Sequence, residues 1–116
     1  MRKDPGIILR DILESIGRIN RYVGNMTLEE FRARDETQDA VVRKIEIIGE
    51  AAKRLPSEFQ GLHQDIPWKQ IGGMRDILIH EYFGINIERV WETVKSDLLG
   101  LKDRIWKILE AIQDPN

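Results

Sequence analysis

Between Gly73 and Gly84 the chain reads Gly73-Met74-Arg75-Asp76-Ile77-Leu78-Ile79-His80-Glu81-Tyr82-Phe83-Gly84. A cation, a histidine, two carboxylates and a phenol are gathered in a mostly apolar stretch. Asp76 and His80 are four apart, so on a helix they share a face, and a carboxylate there fixes the imidazole tautomer and raises its basicity. Arg75 and His80 are five apart, about 140° around an axis with 3.6 residues per turn. Either the helix loosens after Ile79, or the two act on opposite sides of a longer substrate. Tyr82 falls near the helix end, where Gly84 lets the chain leave. Each residue alone has an ordinary explanation. His80 fits a half-buried histidine satisfied by a carbonyl, and Arg75 with Asp76 or Glu81 fits a helix ion pair worth a few tenths of a kcal/mol. Tyr82 fits a phenol whose hydroxyl ties down the helix end. Together they offer a clamp for an anion, a group titrating near neutrality and a hydroxyl donor.

Those groups suit cleavage of a phosphodiester by an internal nucleophile, since RNA brings its own 2′-hydroxyl. The reaction needs a base for that proton, an acid for the leaving oxygen and positive charge on the phosphoryl oxygens; it does not need a metal or other cofactor. One histidine does not comfortably serve as base and acid in one step, so a two-fold dimer bringing two copies of His80 and Arg75 to one cleft is expected. No metal site is expected, because His63 and His80 are the only histidines and no H-E-x-x-H or thiolate cluster exists. Gly72-Gly73 lacks the flanking pattern and lysine of a phosphate-binding loop, and its plain reading is a kink or close backbone packing. Glu50, in Ile48-Gly49-Glu50-Ala51-Ala52, sits beside small residues that permit close helix contact. It reads as a surface or interface glutamate, with pairing to Arg75 as the alternative.

The elements that must position these groups are helical throughout, because apolar residues recur at helical spacing and no clean period-two run occurs. Asp4-Pro5 caps a first helix whose stripe runs from Ile8 to Val23 and stops at Gly24-Asn25. Thr27 and Glu30 form a capping box for a second helix ending before Pro56. Ser57 opens a short helix through Leu62. From Pro67 a helix carries Trp68, Ile71, Met74 and Leu78 inward, across the unfavourable Gly72-Gly73 pair. Asn86 caps a long last helix that stops before Pro115, with Gly100 as the place for a bend. This is an all-α antiparallel bundle, one domain over residues 1–116.

Composition sets the outer bounds. The 116 residues are 41% apolar and 33% charged, with a formal charge of −2, so contact with nucleic acid must come from a local patch and not from a global basic field. The absence of cysteine removes disulfides and sulfur-bound zinc and agrees with a reducing, cytoplasmic setting. No signal-peptide core or membrane span fits the sequence.

The spacing Arg75-x4-His80-x-Tyr82 is similar to the R-x4-H-x-Y signature of HEPN-domain ribonucleases. The surroundings resemble the HepT-like branch: Ile47-Ile48-Gly49-Glu50-Ala51, Pro67-Trp68 ahead of Ile71-Gly72-Gly73-Met74, and Val90-Trp91 downstream. The resemblance covers most of the chain. It implies a HEPN-like homodimer with its cleft at the interface and metal-independent endonucleolytic cleavage of RNA. It further implies a toxin whose partner, a small nucleotidyltransferase antitoxin, attaches AMP to the motif tyrosine. Carried over, Arg75 binds and polarises the phosphate, His80 is the acid/base, Asp76 orients His80, and Tyr82 assists binding and accepts the modification. Two other readings remain: a binding module whose cleft holds RNA or a nucleotide without turnover, and a structural partner of the nucleotidyltransferase. An apolar face for such a partner would leave Trp91, Val94 and Leu98 exposed, whereas an ordinary core would bury them.

Overall fold

Helix α1 (Pro5–Val23) begins where the Asp4 side chain accepts from the Gly6 N–H at 3.0 Å, and it ends at Gly24. That glycine sits at φ 53°, a left-handed conformation that costs a side chain with a Cβ but not glycine. The stripe Ile8, Leu9, Ile12, Ile16, Ile19 and Val23 is buried throughout, so one face of α1 forms a wall of the core. The computed structural model describes residues 4–80 and 84–113, with the backbone alone for Ile77, His80 and Gln113.

The second predicted helix is two helices, α2 (Leu28–Arg32) and α3 (Asp35–Lys53). The capping box is present: Thr27 Oγ1 accepts from the Glu30 N–H at 3.2 Å, and Glu30 Oε1 accepts from the Thr27 N–H at 3.0 Å. The Thr27 backbone N–H, and after it the Thr27 hydroxyl, bond the charged carboxylate and hold Glu30 below the usual range. The break at Ala33-Arg34 escapes a periodicity argument because its compensation comes from a side chain in the first turns of the next helix. Buried Gln38 donates through Nε2 to the carbonyls of Phe31 at 2.8 Å and Arg32 at 3.1 Å, adding a donor at the end of α2, where the Phe31 carbonyl also accepts from the Arg34 N–H at 3.2 Å. Replacing Gln38 with leucine keeps the bulk and removes the donor. The expected loss is about 1–3 kcal/mol of unfolding free energy, read by urea denaturation; an unchanged midpoint would mean that water serves those carbonyls equally well.

The short helix α4 (Ser57–Leu62) forms as expected, but its N-cap is Pro56 and no side chain caps it. The expected helix from Pro67 is also divided, into α5 (Trp68–Gly72) and α6 (Met74–Leu78), joined at Gly73. It stops before His80. Ile79 is extended (φ −114°, ψ 120°), and β1 (Ile79–His80) pairs antiparallel with β2 (Gly84–Ile85), Ile79 opposite Ile85 and His80 opposite Gly84. The Asn86 N–H donates to the Leu78 carbonyl at 2.8 Å, so strand pairing takes over where the helical ladder stops. Gly84 has φ 77°, the second position in the fold that requires glycine's freedom.

Asn86 caps α7 (Ile87–Glu92), its side chain accepting from the Arg89 N–H at 3.2 Å. The last helix does change geometry, but not at Gly100. A π-helical turn spans Thr93–Asp97, where the Leu98 N–H reaches back to the Thr93 carbonyl, before α8 (Leu98–Gln113) resumes. Thr93 Oγ1 donates to the Arg89 carbonyl at 2.9 Å, which accounts for a threonine hydroxyl at this buried position.

The core lies among α1, α3, α5 and α8, with fully buried Phe31, Ile45, Ile48, Ile66, Leu78 and Ile105 at its centre. Among the described residues the fold is therefore all-α apart from the two-residue strand pair. Val94 and Leu98 are buried, and half-buried Trp91 packs on Phe31 with ring centroids 5.3 Å apart, so this stripe is ordinary core. Arg32 bonds Glu88 at 2.6 Å, tying α2 to α7 and holding the Glu88 carboxyl below its usual range. No helix among the described residues is long and apolar enough to cross a membrane.

Candidate active site

The geometry of the site starts on α3. Glu46, Gly49 and Lys53 are spaced three and four apart and so line one face of that helix. At Gly49 the backbone of α5 comes so close that a Cβ would lie 3.2 Å from the Ile71 carbonyl oxygen and 3.3 Å from that of Gly72. At Gly72 a Cβ would meet the Lys53 stem at 3.2 Å. The reason for the glycines at 49 and 72 is thus close packing, as the small residues around Glu50 suggested, and at neither is it an unusual backbone angle. As α3 is traced back from Lys53 through Gly49, the partner segment runs forward from Gly72 into α6.

That path ends on an ion pair. Arg75, in the first turn of α6, donates from Nε to Glu46 Oε2 at 3.1 Å. Its Nη1 lies 3.9 Å from Asp76 Oδ1. The Arg75 side chain is 55% exposed and that of Glu46 29%, so the pair adds only about 0–1 kcal/mol to stability. Its consequence is orientation. Arg75 is anchored at its inner nitrogen while more than half of its side chain faces solvent, a suitable posture for meeting an anion.

The alternative partner for Arg75 does not form. Glu50 is exposed and pairs with Lys53 at 3.7 Å, while Glu46, one turn earlier, meets the arginine. Sequence reasoning missed Glu46 among many surface carboxylates. The available signal was its spacing: it lies three residues before the glycine that brings the helices together.

The expected Asp76–His80 pair assumed an uninterrupted helix, and α6 ends at Leu78. Asp76 is 85% exposed beside Arg75, and His80 belongs to β1, so the two do not share a helix face. The helix does give way between Arg75 and His80, ending at Leu78, one residue earlier than expected. Tyr82 and Glu81 lie outside the described residues, as does the orientation of the His80 imidazole.

A cleft of about 520 Å³ lies on the other flank of α6, lined by Met74, Leu78, Leu98, Leu101, Arg89 and Arg104 among others; Arg75 and Asp76 do not line it. This cleft and the exposed Arg75–Asp76 edge are therefore separate. No group of three or more histidine, aspartate or glutamate side chains among the described residues is arranged to hold a metal ion.

Comparison with known proteins adds to this geometry. The family described as Ribonuclease HepT-like matches residues 12–108. A Thermococcus cleftensis protein named "Probable ribonuclease HepT" is 42% identical over 108 residues, covering 93% of this chain and 98% of the relative. A Methanocaldococcus jannaschii protein named "Gamma-glutamylcyclotransferase and putative RNase" is 50% identical over 112 residues, covering 97% of this chain. This chain spans about half the length of that relative, 50%. No solved structure matches. With the match running from the middle of α1 almost to the end of α8, and so through every element that builds the Arg75 site, the chain belongs to the ribonuclease HepT-like family.

Proposed function

We propose that this chain is a metal-independent RNA endonuclease, and the toxin of a toxin-antitoxin pair. What supports the reading most is the intact Arg75-x4-His80-x-Tyr82 spacing in a member of a ribonuclease family. The RNA 2′-hydroxyl attacks the adjacent phosphorus, its proton passing to a base, and the 5′-oxygen leaves with a proton from an acid. The products are a 2′,3′-cyclic phosphate and a free 5′-hydroxyl. His80 is the acid/base and Arg75 neutralises charge on the phosphoryl oxygens. Asp76 lies beside Arg75, 3.9 Å from its Nη1, and supports that cation, and Tyr82 contacts the substrate. Base and acid are required in the same step, so the active form is a homodimer with two copies of His80 at one cleft.

The antitoxin is a small nucleotidyltransferase that neutralises the nuclease by attaching AMP to Tyr82, and both proteins act in the cytoplasm. The test uses the purified chain with RNA and with DNA of the same sequence, in EDTA. RNA is cut to ends carrying a cyclic phosphate, DNA is left intact, and light scattering gives twice the chain mass of 13.6 kDa. Activity lost in EDTA and restored by Mg²⁺ would replace this mechanism with metal-assisted hydrolysis. An active monomer would defeat the two-copy cleft, and binding without turnover would make the protein a non-catalytic RNA-binding module.

A further inference from the structure

We propose that Glu46 is a positioning residue of this site: it anchors Arg75 at Nε so that the terminal guanidinium nitrogens meet the substrate phosphate in a fixed geometry. The kinetic consequences rest on the ribonuclease reading above; the anchor itself rests on the structure alone. Glu46 and Arg75 are 29 residues apart in sequence and meet at 3.1 Å because Gly49 lets α3 approach the backbone at Ile71 and Gly72. A guanidinium offers an inner edge at Nε and an outer fork of two terminal nitrogens, and the fork matches two phosphate oxygens. With Nε already held, that fork points in one direction before substrate arrives.

This matters because α6 is only five residues long and Arg75 is largely exposed. An unanchored arginine there would sample many rotamers, and ordering it on the phosphate would cost conformational entropy in each encounter. The anchor removes part of that cost. It also sets a carboxylate near the path of an anion, which weakens the attraction between the free protein and RNA. The two effects oppose each other and fall on different kinetic constants: alignment on kcat, and repulsion on KM. A purely structural ion pair would move neither without also moving stability.

The test compares Glu46→Ala, Glu46→Gln, Arg75→Ala and the Glu46→Ala/Arg75→Ala double variant, each checked for a parental unfolding midpoint. Glu46→Ala should lower kcat about tenfold or more, with KM unchanged or lower. Glu46→Gln keeps a neutral acceptor at the same reach and should recover most of kcat. The double variant should be no slower than Arg75→Ala, because an anchor has no function without the group it holds. Parental kcat in Glu46→Ala, a loss confined to KM, or a further loss in the double variant would overturn the proposal. A readout independent of activity is the Arg75 Nε–H resonance in ¹⁵N NMR, protected from solvent exchange in the parent and exposed in Glu46→Ala. If the parent cuts no RNA, the ribonuclease reading fails and this resonance alone decides the anchor. If the parent cuts RNA with its Nε–H unprotected, the anchor fails and the nuclease stands.

Discussion

His80→Ala is expected to lower RNA cleavage by about 10²–10⁴-fold, the usual contribution of a positioned acid or base and equivalent to about 3–5 kcal/mol of transition-state stabilisation. Helix content and oligomer size should not change, since His80 lies in a two-residue strand whose pairing with Gly84 is made by the backbone. Arg75→Lys tests the other half of the pair. An ammonium keeps the charge but has neither an Nε to meet Glu46 nor a planar fork to meet two phosphate oxygens. Its loss should be about 10–100-fold, smaller than the roughly 10²–10³-fold expected for deleting a charge-stabilising donor outright. Gel assays under single-turnover conditions, with circular dichroism on each variant, read both values. A His80→Ala protein that cuts RNA at the parental rate would remove His80 from the mechanism, and an unimpaired Arg75→Lys would reduce Arg75 to a surface ion pair.

Modification of Tyr82 is expected to abolish activity by two routes at once. On the proposed mechanism an AMP group would add bulk two positions beyond His80 in sequence, and its phosphodiester a negative charge that competes with the RNA backbone for the Arg75 cation. Incubation with the cognate nucleotidyltransferase and ATP should therefore give an AMP-sized mass gain and a nuclease that no longer binds RNA. Tyr82→Phe retains the ring and loses the acceptor oxygen. It should fold normally, gain no mass and stay active in the presence of the partner. An equal mass gain on the phenylalanine variant would move the modification to another residue, and a modified protein with full activity would separate modification from control.

Much of this architecture was readable from residue types and spacing because it depends on local rules. The Asp4 and Asn86 caps, the Thr27–Glu30 capping box and the terminating Gly24 each involve residues within one turn of each other. The buried stripe of α1 follows from a repeat of three and four. The Arg75-x4-His80-x-Tyr82 spacing is likewise a property of the sequence, and it alone pointed to phosphodiester chemistry. Three features depended on contacts that the helical repeat does not encode. The division of α2 from α3 is compensated by Gln38, whose amide serves two carbonyls across the break. The end of α6 at Leu78 is set by backbone pairing with residues 84–86, which no 3.6-residue periodicity encodes. That pairing takes His80 off the helix and undoes its expected alignment with Asp76. The meeting of Glu46 with Arg75 depends on how closely two helices pack at Gly49. Sequence by itself therefore determined which groups are available and where most helices begin; tertiary structure decided which of them touch, because contact between distant segments is fixed by packing and hydrogen bonding across the fold and not by spacing along it.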